Sequence, residues 1–312
     1  MTSPEQREAL LEARWCTLCG PGAAKKELYP ARFADGDLSA PVFSARRSPD
    51  GCHFRLVECA GCGMIFSDPA CPPETLGELY AASDVTYGPQ EQQIYDSYAP
   101  ILDRAASRLA RRGAFVEIGG GSGFMLKYAA PAGFSSALEI EPSADAERRF
   151  VAPSPHARFV RSMMTDALLP ESSASLICFF QMLDHLPDPL AFLKAVWRAL
   201  EPGGVAVCVT HDTSGLATRL LGESSPIFDI EHTYLFNHDN LSRLFSAAGF
   251  DRIETFAVAN DYSIRYWLGL APLPAAPKGA LLRTLELAGV ADRRLRLRLG
   301  NVGAIARKPQ HD

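Results

Sequence analysis

Ala114-Phe115-Val116-Glu117-Ile118-Gly119-Gly120-Gly121-Ser122-Gly123-Phe124 decides the fold. It reads as a short buried strand that runs into a glycine turn and then a helix. Glycine accepts positive φ and has no side chain, so a ligand can lie against the backbone of such a turn. A phosphate loop of the Walker type needs Gly-Lys-Ser/Thr at its end, and that is absent here. A dinucleotide fingerprint needs a third glycine three residues after the second, where this chain has Phe124. What remains is Glu117-x-Gly119-x-Gly121-x-Gly123.

A second strand ends in Ala137-Leu138-Glu139-Ile140-Glu141-Pro142-Ser143. In open α/β sheets an acid about 20 residues after the glycine loop accepts hydrogen bonds from ribose hydroxyls. Glu141 stands 20 residues after Gly121. Glu139 competes for that role. Strand alternation puts both on one face, but Glu141 is nearer the carboxyl end, where the ligand crevice of such sheets lies.

Strand and helix patterns alternate beyond this point. Strands are expected at 114–118, 135–140, 157–160, 175–180, 204–210, 252–258 and 302–307, with helices at 123–131, 143–149, 188–200 and 238–248. The alternation predicts a Rossmann-like α/β core with a seven-stranded, mostly parallel sheet. Upstream, 73–79 reads as a short helix capped near Glu74 or Thr75. Apolar spacing (Ile94, Tyr98, Ile101, Leu102, Ala105, Leu109) predicts a helix over 92–112. Residues 262–298 read as an insert that carries the basic run Arg293, Arg294, Arg296 and Arg298, interpreted as a charge-protected edge strand.

The N-terminal region carries different chemistry. Cys16-Thr17-Leu18-Cys19-Gly20 and Cys59-Ala60-Gly61-Cys62-Gly63 are two Cys-x-x-Cys-Gly knuckles with 39 residues between them. Two such pairs supply four thiolates to one tetrahedral Zn²⁺ and leave no open position, so the ion is expected to be structural. Cys52, His53 and Cys71 are spare donors, with Cys52 the main rival ligand. The expected organisation is a zinc-binding module over 1–73, a connector and helix over 74–112, a cofactor-binding core over 113–260, and a helical insert with the last strand over 261–312.

A chain of 312 residues with net charge −5 has little broad attraction for nucleic acid. It has no apolar run long enough for a membrane span and no apolar secretory core at its start. The expected compartment is the cytoplasm, where thiols stay reduced.

The glycine pattern resembles the first motif of class I S-adenosylmethionine (SAM) methyltransferases. The segment from Ser175 to Pro189 resembles their fourth-strand region, with Asp184-His185 where Glu-His is usual. The resemblance implies SAM as cofactor, with Glu117 accepting hydrogen bonds from the ligand ammonium or the loop amides. It puts Gly119, Gly121 and Gly123 beneath the amino-acid tail and Glu141 at the ribose. It also puts Met163 as an apolar wall and Gln181 over the crevice. Ser162 stands where an acid usually meets adenine, and Asp166 is a second candidate for that polar contact.

Zinc knuckles followed by this core resemble a bacterial group that includes C-methyltransferases of nucleotide-linked deoxysugars and methyltransferases of cell-envelope glycan pathways. The residues carrying that likeness are the long-gap cysteine pairs, Leu79-Tyr80, Glu231-His232 near Phe228, and Leu299-Gly300-Asn301-Val302. It implies a small-molecule acceptor such as a nucleotide-sugar or glycan precursor, with His232 as general base and Glu231 or Tyr234 as an acceptor ligand. His185 and His211 are rival bases, and Tyr80 and Tyr87 are candidates to close over the cofactor. Two other readings stand beside it: a zinc-ribbon RNA methyltransferase, and a non-catalytic SAM-binding scaffold.

Overall fold

A computed structural model describes residues 11–33, 38–43, 51–84, 90–165, 168–271 and 273–310. Three short strands come first: β1 (Lys25–Tyr29), β2 (Leu56–Cys59) and β3 (Ile65–Ser67). Helices α1 (Pro73–Ala81) and α2 (Glu91–Ala106) lead into the core. The core runs β4 (Ala114–Ile118), β5 (Ser136–Ile140), α3 (Ala144–Arg149), β6 (Ala157–Val160), β7 (Ala174–Phe180), α4 (Pro189–Ala199) and β8 (Leu200–His211). Then follow α5 (Leu216–Leu221), β9 (Tyr234–Leu235), α6 (His238–Ala247), β10 (Asp251–Ala257), β11 (Asn260–Ser263), α7 (Ile264–Leu270), α8 (Ala275–Leu287), β12 (Arg294–Leu297) and β13 (Asn301–Arg307).

The large sheet has the order β10-β13-β8-β7-β4-β5-β6. Pairing is parallel from β8 through β6, and β13 runs antiparallel to both of its neighbours. This is the expected mostly parallel α/β sheet. Every residue of β7 is buried, as befits a central strand covered by helices on both faces. One apolar cluster packs Ile177, Phe179, Leu193, Val196, Leu244 and Phe245 beneath the sheet. Another packs Tyr98, Leu102, Phe115, Leu176 and Ile305 on the other side. The chain leaves β4 outward to β5 and β6, then crosses back to β7. That reversal opens a crevice at the carboxyl ends of the strands.

Two local expectations change. The segment after the glycine loop forms a 3₁₀ turn at Phe124–Tyr128 instead of a longer helix. Pro131 disfavours helical backbone at the residue before it, which limits the element. Helix α1 starts with Pro72 at the cap position and Pro73 in its first turn, without a side-chain cap from Glu74 or Thr75. Proline is suited to that first turn because the amide it lacks would have no intrahelical partner.

The basic run does form an edge strand, β12, paired with β11, and Arg294 reaches Asp96 and Asp261. Among the described residues no helix is long and apolar enough to cross a membrane.

The small sheet has the order β1-β2-β3-β9. Its last strand comes from far downstream: Ile65 pairs with Leu235 and Phe66 with Tyr234. The Ser67 amide also donates to the Thr233 carbonyl at 2.9 Å. The N-terminal module is therefore stitched to the segment that immediately follows Glu231 and His232.

Candidate active site

A cavity of about 900 Å³ occupies the crevice. At one end lies the glycine loop, where Gly119, Gly121 and Gly123 all have positive φ. Gly119 and Gly121 face the cavity, while Gly123 turns the chain against Phe150. The tightest position is Gly120, which the motif reading passed over: a Cβ there would lie 2.2 Å from Glu117 Cδ.

Glu117 sits buried on the cavity wall. The loop amides do not go to it. The Gly120 amide donates to Glu139 Oε1 at 2.8 Å, and the Gly121 amide donates to Glu141 Oε2 at 3.2 Å. Glu117 instead lies beside the Glu139 carboxyl and near the Met125 amide. Two touching carboxyls need a proton between them. Burial pushes Glu117 up to about 7, and burial with the adjacent Glu117 drives Glu139 well above the carboxylate range. Glu141 faces the cavity and receives the Gly121 and Ser143 amides, whereas Glu139 lies behind the loop. The geometry separates the two competing acids and leaves Glu141 as the one a ligand can touch.

A pH dependence follows. The folded value of Glu117, about 7, lies above its ordinary 4.5. Between those values the folded chain keeps a proton that the unfolded chain has released. Stability therefore falls as pH rises through that window, by at most about 1.4 kcal/mol per pH unit. Buried His185 and His232 act in the opposite direction over an overlapping range, so the test is the difference between two ligand-free proteins: the melting temperature of Glu117→Gln should rise relative to that of wild type between about pH 5 and about pH 7.5. Equal slopes for the two proteins would show that the carboxyl pair does not hold the proton.

Met163 lines the wall beside Ser162 and Met164. Gln181 closes β7 with φ of 52° and donates from Nε2 to the Tyr98 hydroxyl at 3.1 Å. Tyr98, a core position of α2 by its apolar spacing, also lines the cavity. Tyr262, Tyr266 and Trp267 also reach the cavity, so the segment read as an insert supplies part of its wall. Asp166 and Tyr87 lie outside the described residues.

The other end is a histidine cluster. The His232 ring lies 4.9 Å from that of His185 and 4.5 Å from that of His211. His232 Nδ1 donates to the Ile227 carbonyl at 2.8 Å, which leaves Nε2 as the lone-pair nitrogen. His211 Nδ1 donates to Asp184 Oδ2 at 2.5 Å. Burial alone would raise Asp184, but His211 holds this carboxylate well below its usual range. Burial pushes His185 down to about 3 and lowers His232, so both imidazoles are neutral around neutral pH.

The Tyr80 hydroxyl lies 2.9 Å from His185 Nδ1 and donates to the Glu231 carbonyl at 3.3 Å. Tyr80 thus belongs to the histidine end. Tyr234, expected as an acceptor ligand, points away: its hydroxyl donates to the Trp15 carbonyl and its ring stacks on Phe66. Membership of β9 takes it to the small sheet.

Outside the cavity, the sulfurs of Cys16, Cys19, Cys59 and Cys62 lie within 4.8 Å of one another. The Cys16 and Cys62 sulfurs are 3.3 Å apart. Each knuckle closes in the same way, with Gly20 donating to the Cys16 carbonyl and Gly63 to the Cys59 carbonyl, both at 2.8 Å. Backbone amides of Leu18 and Cys19 bond the Cys16 sulfur, and those of Gly61 and Cys62 bond the Cys59 sulfur. Four sulfurs so placed, each pair supported by amides, fit one tetrahedral ion. Cys52, His53 and Cys71 are outside this group, and His53 Nε2 faces Glu223 instead.

The family described as "Methyltransferase domain" matches residues 90–255. A curated protein of Mycolicibacterium smegmatis, described as a "probable S-adenosylmethionine-dependent methyltransferase", is 31% identical over 124 residues, 40% of this chain and 44% of its own. The chain thus spans less than half the length of that relative. Among solved structures, an S-adenosylmethionine-dependent methyltransferase of Mesorhizobium loti superposes with a TM-score of 0.44 at 20% identity, over 69% of this chain and 100% of its own. A Haemonchus contortus phosphoethanolamine N-methyltransferase gives 0.42 at 15% identity, over 72% and 59%.

Proposed function

This chain belongs to the methyltransferase domain family, and on that premise we propose that it transfers a methyl group from SAM to a small-molecule acceptor. One observation carries the reading: the glycine loop, Glu141 and the histidine cluster open into a single cavity. SAM would lie with its amino-acid tail over Gly119–Gly121 and its ribose on Glu141, directing the sulfonium methyl towards the histidine end. Methyl transfer is an in-line displacement, and holding nucleophile, methyl and sulfur in line is a large part of its catalysis.

The acceptor is proposed to be a sugar, free or nucleotide-linked, methylated at a hydroxyl or a carbon. Support comes from the outer motifs and from the aromatic wall of Tyr262, Tyr266 and Trp267. Among the described lining residues there is no lysine or arginine. The sugar half of such a molecule therefore fits inside, with any diphosphate left towards the mouth. His232 is the proposed base, because the residue lines the cavity and keeps its lone pair on Nε2, and Glu231 and His185 would hold the acceptor beside it. In the Cys16, Cys19, Cys59 and Cys62 cluster we infer a structural Zn²⁺.

Calorimetric titration tests the cofactor site without an acceptor. Glu141→Ala should weaken binding of SAM and of its demethylated product about 10-fold to 100-fold, the range for losing a hydrogen bond to a charged group. Wild-type protein with no affinity for either compound would overturn the function. An unchanged affinity in the variant would remove Glu141 from the ribose.

A further inference from the structure

We propose that the histidine end of the cavity is a second metal site, in which His185, Glu231 and His232 hold a divalent first-row cation that binds the acceptor oxygen. The inference rests on the reading above only for where the acceptor lies.

One ligand atom from each of the three residues lies within 4.8 Å of the others, and all three side chains line the cavity. His185 Nδ1 is 3.9 Å from Glu231 Oε2. Two donors each about 2.1 Å from one ion span up to about that distance. The surroundings match what metal-bound imidazoles require. A ligating histidine usually has its other nitrogen held by a carboxylate or a backbone carbonyl, which fixes ring and tautomer. His232 has this support: Nδ1 donates to the Ile227 carbonyl, leaving Nε2 for an ion. For His185, Nε2 faces Asp184 Oδ1 at 3.8 Å, leaving Nδ1 towards Glu231. That Asp184 oxygen is buried and has no hydrogen-bond partner among the described residues. The Tyr80 hydroxyl at His185 Nδ1 occupies the direction an ion would take, so it would turn to its other partner, the Glu231 carbonyl.

Charge supports the same conclusion. Glu231 is buried, Asp184 stands behind the cluster, and no described lysine or arginine lines the cavity. Two imidazoles and one carboxylate select zinc, iron, cobalt or nickel over magnesium. Three protein ligands leave positions open to the cavity. An acceptor hydroxyl bound there would give up its proton more readily, to His211, which lines the cavity with its Nδ1 held by Asp184; the ion acts as Lewis acid and no electron is transferred. The ion would then use the His232 lone pair that otherwise serves as base.

The test is metal binding by the 312-residue chain, read without any acceptor. Protein stripped of all bound metal is titrated with Co²⁺ and its metal content is measured. Wild type should take up two equivalents. One should show thiolate-to-cobalt charge transfer and the other ligand-field bands alone. His185→Asn, Glu231→Gln and His232→Asn should each lose the second equivalent and keep the first. Retained binding of the demethylated cofactor in these variants would show that the fold is intact. A wild-type protein that takes up only the thiolate-bound equivalent overturns the proposal, as do variants that keep both. Absence of cofactor binding in wild type would instead overturn the methyltransferase reading.

Discussion

Gly120→Ala is expected to abolish measurable SAM binding. A Cβ on this residue would lie 2.2 Å from Glu117 Cδ and 2.5 Å from its Oε1. The obstacle cannot swing aside, because Glu117 is 1% exposed and its carboxyl is engaged by Glu139. The loop must move instead, and it would take with it the amides that hold Glu139 and Glu141. Overpacking of this kind costs about 1–3 kcal/mol in stability. Moving the ligand-facing backbone should cost affinity as well, about 100-fold or more, equivalent to roughly 2.7 kcal/mol. Gly279→Ala serves as the contrast. It lies within α8 with nothing inside 4 Å of its would-be Cβ, and should stabilise by up to about 1 kcal/mol. Calorimetry and thermal melting of both variants decide the matter. Wild-type affinity in Gly120→Ala would mean that the loop does not carry the ligand.

The second large effect is expected from the cysteine cluster. Cys59→Ser combined with Cys62→Ser should abolish the zinc binding proposed for this cluster and melt the small sheet. Structural zinc contributes about 10–16 kcal/mol in isolated zinc-dependent peptides, more than a small module can otherwise supply. The loss should then spread across β3 to the stretch it holds. Ser67 meets Thr233 by its amide and the His232 carbonyl by its hydroxyl, at 3.3 Å. Hydrogen exchange should therefore accelerate at 56–67 and at 232–236 together, while β4 and β7 stay protected. Exchange that rises at 56–67 alone would show that the His232 segment keeps its place without the module.

Much of this was legible in sequence because it is written in local pattern. Val116, Ile118 and the apolar run of β7 announce buried strands. The glycine spacing announces a turn with positive φ, and Glu141 falls at a fixed distance from it. Paired cysteines with a following glycine announce their own knuckles. What stayed hidden depends on approach between distant segments. Strand β9 is only Tyr234–Leu235, too short for a periodic signal, and its partner lies near residue 66. Asp184 and His211 meet because β7 and β8 are neighbours. The carboxyl pair of Glu117 and Glu139 arises from the register of β4 with β5, which places the two directly opposite. Loop amides then went to the second strand's acids, which no spacing within the loop could reveal.

The pairing of β3 with β9 bears on how the polypeptide emerges from the ribosome. Residues 56–67 are synthesised long before Tyr234 and Leu235, so the nascent N-terminal sheet waits with Ile65 and Phe66 on an open edge. Open edges invite pairing with other chains. A fragment ending near residue 73 would keep that edge permanently, and should prove stickier in isolation than the 312-residue chain.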